Sequence, residues 1–419
     1  MEIVLFCKKK EMIRVVLFLM VSLIYESSFS QSSFLLDLME QSGKFELILN
    51  SPSQYKIQII YTQINRNRNN VPSFRSFFYQ YDSSRYFYPA STVKLPTVLM
   101  ALERVNEIGK FDKNSPLIID SLTNISKGLF LDSSAENNKP TIAHFAKKIL
   151  LVSDNEAYNR LYEFLGQDNL NLGLIEKGYQ NIRICHKLGV DLNPKENAIQ
   201  NAFTFYNSQD RILFFQKSDT SKGSYLGKIP IKMGIGYLKN DTLFNEPFNF
   251  TNKNCFNLKD QQEILKSVLF FKYIPPENRF NLSKSDNRFL FQYLSEMPKE
   301  SEYPKYDSNE YFDNYGKFFM FGNTPNNIPE NIRIFNKIGQ AYGFLIDNAY
   351  IVDFDKKVEF LLSAVIYCNK DEIFNDDIYE YEEVGFPFFE NLGNLIYQYE
   401  LTRERPFVPN LKKFRVKYN

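Results

Sequence analysis

Two stretches with strand periodicity bracket a long helical middle, and this order constrains the fold more than any other feature of the chain. Near the N-terminus "KIQIIYTQI" alternates Ile57, Ile59 and Tyr61, the pattern of a half-buried strand. "FRSFFYQY" follows as a second strand after the polar turn "NRNRNNVPS". Near the C-terminus "NKIGQAYGFLIDNAYIVDF" and "KVEFLLSAVIYC" form consecutive strands that turn at Asp355 to Lys357. Between them the period changes. Leu95, Val98, Leu99 and Leu102 repeat at helical spacing, with Gly109 where a C-terminal cap belongs. Ile142, Phe145, Ala146 and Ile149 share one face, which leaves His144, Lys147 and Lys148 in solvent. Tyr158, Leu161, Tyr162 and Leu165 share another face, ending at Gly166. "LKDQQEILKSVLFF" and "DNRFLFQYLSEM" are also helical, as are a first helix from Phe34 to about Ser42 and a last one carrying Leu392, Leu395, Ile396 and Tyr399. The simplest closure is an α/β fold of the α+β type: the terminal segments pair into one antiparallel sheet and a helical lobe is inserted between them. A site would lie at their junction, where pockets commonly form.

The 419 residues are 44% hydrophobic and 24% charged, enough for one large globular domain over 31–419. Fifty basic and 49 acidic residues nearly cancel, which argues against a nucleic-acid partner. Residues 1–30 have the order of a secretory signal peptide: the basic "KKKEMIR", the apolar "VVLFLMVSLIY" and the small-residue "ESSFSQSS", with cleavage expected near Ser30–Gln31. Met12 is an alternative start. The apolar run from Val15 to Tyr25 is too short for a comfortable membrane span. The expectation is an exported bacterial protein, periplasmic or secreted, and monomeric. Of Cys7, Cys185, Cys255 and Cys368, the first leaves with the signal; three remain, so at least one thiol is free or bonded to another molecule. No Cys or His spacing resembles a metal site, and no pattern implies an organic cofactor.

Three short motifs follow one another. Ser91-x-x-Lys94 precedes an apolar helix; at that spacing both side chains share a face. A buried lysine whose pKa falls toward neutrality can take the proton of a nearby hydroxyl. Pro96 cannot donate back to Thr92, so the first turn is expected to be tight or irregular. Ser153-Asp154-Asn155 sits between two helices and can present a hydroxyl and a carboxamide. Lys337-Ile338-Gly339 opens a strand, with the lysine holding positive charge and the glycine letting substrate approach the backbone. Each motif has a competitor: Ser53–Lys56, Ser285-Asp286-Asn287, a helix cap, and Lys232-Met233-Gly234.

In this order the motifs resemble those of the penicillin-recognising serine hydrolases, with the class A β-lactamases most similar. Ser91 and Ser153 are 62 residues apart, similar to that family; Ser153 and Lys337 are 184 apart, which is longer, and Glu196 to Phe250 is the expected insertion. The resemblance implies that Ser91 is acylated, Lys94 serves as or tunes the base, and Ser153 relays a proton to the leaving nitrogen. Asn155 orients the substrate amide, Lys337 stabilises negative charge, Gly339 lies beside the substrate, and the backbone N–H groups of Ser91 and Gln340 form the oxyanion hole. The implied substrate is a small β-lactam or a cell-wall peptide.

Two positions depart from the family. Ile338 replaces the hydroxyl residue that helps grip a substrate carboxylate. In "GVDLNP", Asp191-Leu192-Asn193 echoes the family's Glu-Leu-Asn, which puts its deacylating glutamate at Gly189; Asp191 or Glu196 would have to substitute. The leading expectation is an acyl-serine hydrolase of class A β-lactamase type. A D-alanyl-D-alanine peptidase or an esterase of the same fold is the alternative within enzymes. A non-catalytic cell-envelope binding protein is the alternative outside them.

Overall fold

A computed structural model describes residues 33–121 and 127–418. The predicted signal peptide and Cys7 lie outside these residues. Five strands form one antiparallel sheet in the order β3-β4-β5-β1-β2: β1 is Gln58–Arg66, β2 Pro72–Tyr79, β3 Ile332–Ala341, β4 Phe344–Asp353 and β5 Val358–Tyr367. N- and C-terminal strands meet where Ile60 pairs with Ser363. The fold is therefore the α+β arrangement expected.

The C-terminal strands number three, because "NKIGQAYGFLIDNAYIVDF" folds into a hairpin. Tyr342 and Gly343 both have positive φ, as a two-residue turn requires. β1 is buried on both faces rather than half-buried. One face packs on the helical segment at 33–42 and on α6, Phe386–Thr402, through Tyr61, Leu362 and Phe389. The other packs toward α4, Leu258–Leu269, and α5, Lys284–Ser295. Arg66 on β1 forms a buried double hydrogen bond with Glu359 on β5, at 2.6 and 2.7 Å, and Tyr350 donates to the same carboxylate at 2.8 Å.

The inserted lobe is built on α1, Lys94–Ile108, α2, Ile142–Val152, and α3, Asn155–Glu176. α3 does not stop at Gly166. It bends there, at φ +71°, and resumes, because the side chain of Gln200 occupies the space a Cβ would need. His144 is buried rather than solvated. The loop holding Asp132 and Ser134 folds over its face, and the imidazole Nε2 lies 3.1 Å from an oxygen of each. Ser285-Asp286-Asn287 is not the helix cap; Ser283 is, with Asp286 as its reciprocal partner in the first turn.

The stretch from Glu196 to Phe250 divides between two neighbours. Ala202–Tyr206 and Ile212–Gln216 extend a small sheet from Leu117–Asp120. Further on, Gly236–Lys239 pairs with Thr242–Phe244 and with Ile373–Phe374. Among the described residues no helix is long and apolar enough to cross a membrane. Cys185, Cys255 and Cys368 are free thiols.

Candidate active site

The serine-lysine turn begins with strain. Ala90 has φ +48°, a value L-residues rarely adopt, and Ala90–Val93 is a 3₁₀ turn that leads into α1 at Lys94. Pro96 accounts for the tight start, since it cannot close an ordinary first turn. Ser91 is half-buried on this turn, and Lys94 is fully buried one turn on.

α2 ends at Ser153, which is left-handed at φ +61°. Asp154 caps α3 by accepting from the Ala157 N–H at 2.7 Å. This corner aims three groups at Lys94. Its Nζ donates to Asn155 Oδ1 at 2.7 Å, to the Ser153 carbonyl, and to Ser153 Oγ at 3.3 Å. Ser91 Oγ is not among these partners. Lys337 approaches from the sheet, donating to Ser153 Oγ at 2.7 Å and to the Ile338 carbonyl at 3.1 Å. The Ser153 hydroxyl thus lies between two lysines.

The charge states follow from burial. Loss of water lowers Lys94 to about 7, with Asp154 opposing. Burial, and then the neighbouring Lys94, push Lys337 well below the usual lysine range. Two ammonium groups sharing one hydroxyl repel, so the free site disfavours the standing positive charge expected at Lys337.

Lys337 lies in the second half of β3 rather than at its start. Gly339 is needed for packing: a Cβ there would meet the Pro89 carbonyl at 2.7 Å and Ala90 Cβ at 3.3 Å. The space expected to admit substrate is filled by the serine turn itself. β3 is an edge strand, so its free edge runs beside that turn, with Gln340 exposed just beyond.

Behind Lys337 lies a network that the motifs did not indicate. Lys317 Nζ donates to Asn336 Oδ1 at 2.7 Å and to the Leu294 and Ile334 carbonyls. Asn336 donates to Asp347 Oδ1 at 2.8 Å, and Asp347 also accepts the Phe318 and Phe319 N–H groups. Burial lowers Lys317 to about 7 and raises Asp347 to about 6. The one legible signal was a carboxylate inside the apolar strand "FLIDNAYIV".

The loop after α3 comes close to the site without bringing an acid to it. Asn159 holds Leu188 through both of its backbone groups, at 2.8 and 2.9 Å. Gly189 then lies against Asn155, where a Cβ would sit 3.0 Å from Nδ2. Asn193 and Glu196 are committed to each other in a reciprocal cap on Pro194–Asn197. That removes Glu196 as a free base and gives Asn193 a structural task. Asp191 is exposed. The competing motifs lie outside the cluster: Lys232-Met233 is in a short strand paired with Phe248–Asn249, and Ser53 is in a helical turn whose Lys56 is 4.0 Å from Glu372.

Residues 44–217 match the model of the beta-lactamase enzyme family. The matched span contains Ser91, Lys94, Ser153 and Asn155. It bears out the resemblance to penicillin-recognising serine hydrolases and, with the fold, supports a hydrolase of that wider group. No curated protein matches the chain. Solved structures of similar shape include a β-lactamase from Sphaerobacter thermophilus, at 13% identity over 85% of this chain and 96% of that one, with TM-score 0.46. The chromosome-encoded β-lactamase of Vibrio parahaemolyticus is 14% identical over 84% and 97%, with TM-score 0.44. A PBP-A variant in acyl-enzyme complex with penicillin G is 13% identical over 87% and 96%, with TM-score 0.47.

Proposed function

We propose that the protein is an exported serine acyl hydrolase that opens a β-lactam or a related amide through an acyl-Ser91 intermediate. One observation carries this reading: Lys94, Ser153, Asn155 and Lys337 converge through hydrogen bonds of 2.7 to 3.3 Å beside the turn that bears Ser91. In the proposed reaction Ser91 Oγ attacks the amide carbonyl carbon and its proton passes to neutral Lys94 Nζ. The backbone N–H groups of Ser91 and Gln340 receive the oxyanion. As the C–N bond breaks, Ser153 gives its proton to the leaving nitrogen and is reprotonated from the lysines on either side. Water then cleaves the ester.

The loop after α3 brings no carboxylate to activate that water. Gly189 carries no side chain, and Glu196 is engaged in a helix cap. The acyl-enzyme is therefore expected to form faster than it is lost, as in a peptidase or penicillin-binding protein. Intact mass spectrometry after mixing with a penicillin tests this. A persistent adduct supports the reading. An adduct that vanishes as hydrolysed drug accumulates supports the same acyl-serine route with efficient deacylation, and no adduct with any penicillin or cell-wall peptide contradicts it. Release of D-alanine from such a peptide would identify the peptidase form.

A further inference from the structure

The inserted stretch walls one side of an open chamber beside the lysine cluster. Its strands set Phe248 against Tyr342, with ring centroids 5.4 Å apart, and against Tyr237 at 5.2 Å; Tyr88 meets Tyr342 edge-on at 5.0 Å. These rings and the loop at 188–191 line an open cleft of about 400 Å³. The chamber adjoins the site at two points. Gly189 in its wall lies against Asn155, and Tyr88 and Tyr342 stand three and two residues along the chain from Ser91 and Gln340.

Its charge is unbalanced. The half-buried Lys253 places Nζ 5.8 Å from the centroids of both Phe248 and Tyr342. Cation–π attraction of this kind restrains an ammonium without neutralising it. Among the described residues Lys253 has no ion-pair partner, and neither does Lys239 in the same wall. Lys187 is already answered by Glu163 at 2.6 Å. Asp191, also in the wall, is exposed and unpaired with either free lysine. Aromatic faces with a restrained, unanswered cation suit an apolar chain that ends in an anion.

We propose that this chamber receives a carboxylate carried on the aromatic or apolar acyl portion of the substrate, paired with Lys253 while the chain lies against Tyr342 and Phe248. The proposal rests on the acylation of Ser91 proposed above. Benzylpenicillin and carbenicillin test it, since they share a reactive ring and a phenyl side chain and differ by one side-chain carboxylate. Acylation rates are read by intact mass. The expected result is about tenfold faster acylation by carbenicillin, a ratio that falls toward one in Lys253→Ala and persists in Lys253→Arg. Because the readout is a ratio within each variant, a general loss of activity does not mimic it. A ratio at or below one in the unmodified protein, or one that survives Lys253→Ala, overturns the proposal. If neither drug acylates Ser91, the reaction assignment fails, and the chamber is tested directly by NMR binding of phenylacetate and phenylacetamide to Ser91→Ala. A Lys253-dependent preference for phenylacetate supports the chamber; equal binding overturns it.

Discussion

A lysine cut off from water must find a counter-charge or give up its proton, and Lys94 has only Asp154 to help it keep one. The sequence shows that Ser91 and Lys94 share a face, but not how deeply the lysine lies. That depth depends on Ser153 and Asn155 arriving from the next two helices. With Lys94 near 7, acylation should rise about tenfold per pH unit on the acid side and level off above neutrality. Lys94→Arg, which stays charged, should lose at least about 100-fold, measured as the adduct-formation rate across pH. The sign for stability is the same. The unfolded chain binds a proton at Lys94 between about pH 7 and its ordinary lysine value, and the folded chain does not. Stability contributed by this group is complete above that window and is lost as pH falls through it. Lys94→Met should flatten that slope in urea titrations.

At the scale of elements, the edge strand and the serine turn are fitted to each other. Gly339→Ala would drive a Cβ into the Pro89 carbonyl, and one of the two segments must move. The expected cost is about 1–3 kcal/mol in thermal unfolding, with slower acylation because the Ser91 turn shifts. This contact is invisible in sequence, where Gly339 is read as room for a ligand. Local pattern did serve for α1, α2, α4, α5 and α6, whose apolar spacing reflects the face each one buries. It failed where a distant segment intervened. His144 falls off the apolar face of α2 but is covered by the loop at Asp132, and Gly166 marks a bend because Gln200 packs against it. The Tyr342-Gly343 hairpin is a local signal hidden inside a long apolar run.

For the whole molecule, β1 must reach across nearly the entire chain to find β5. The Arg66–Glu359 pair is a polar link at that closure, buried and satisfied by Tyr350. Removing one partner leaves a buried charge, so Glu359→Ala should cost about 3–5 kcal/mol, read as a lower urea midpoint. The closure itself was legible, since terminal strands around a helical middle leave few other ways to pair. The second covering of the sheet was not, because β1 alternates as a half-buried strand does, and its polar side is buried only by a distant helix, where Thr62 donates to Gln262 of α4 at 2.7 Å. In the proposed function the whole architecture serves to present Ser91 to an amide. The most direct test is to expose the protein to a penicillin, digest it, and map the added mass by tandem spectrometry. The expected result is a single modified site at Ser91, absent from Ser91→Ala. Stoichiometric acylation at another residue, or undiminished acylation of Ser91→Ala, would contradict it.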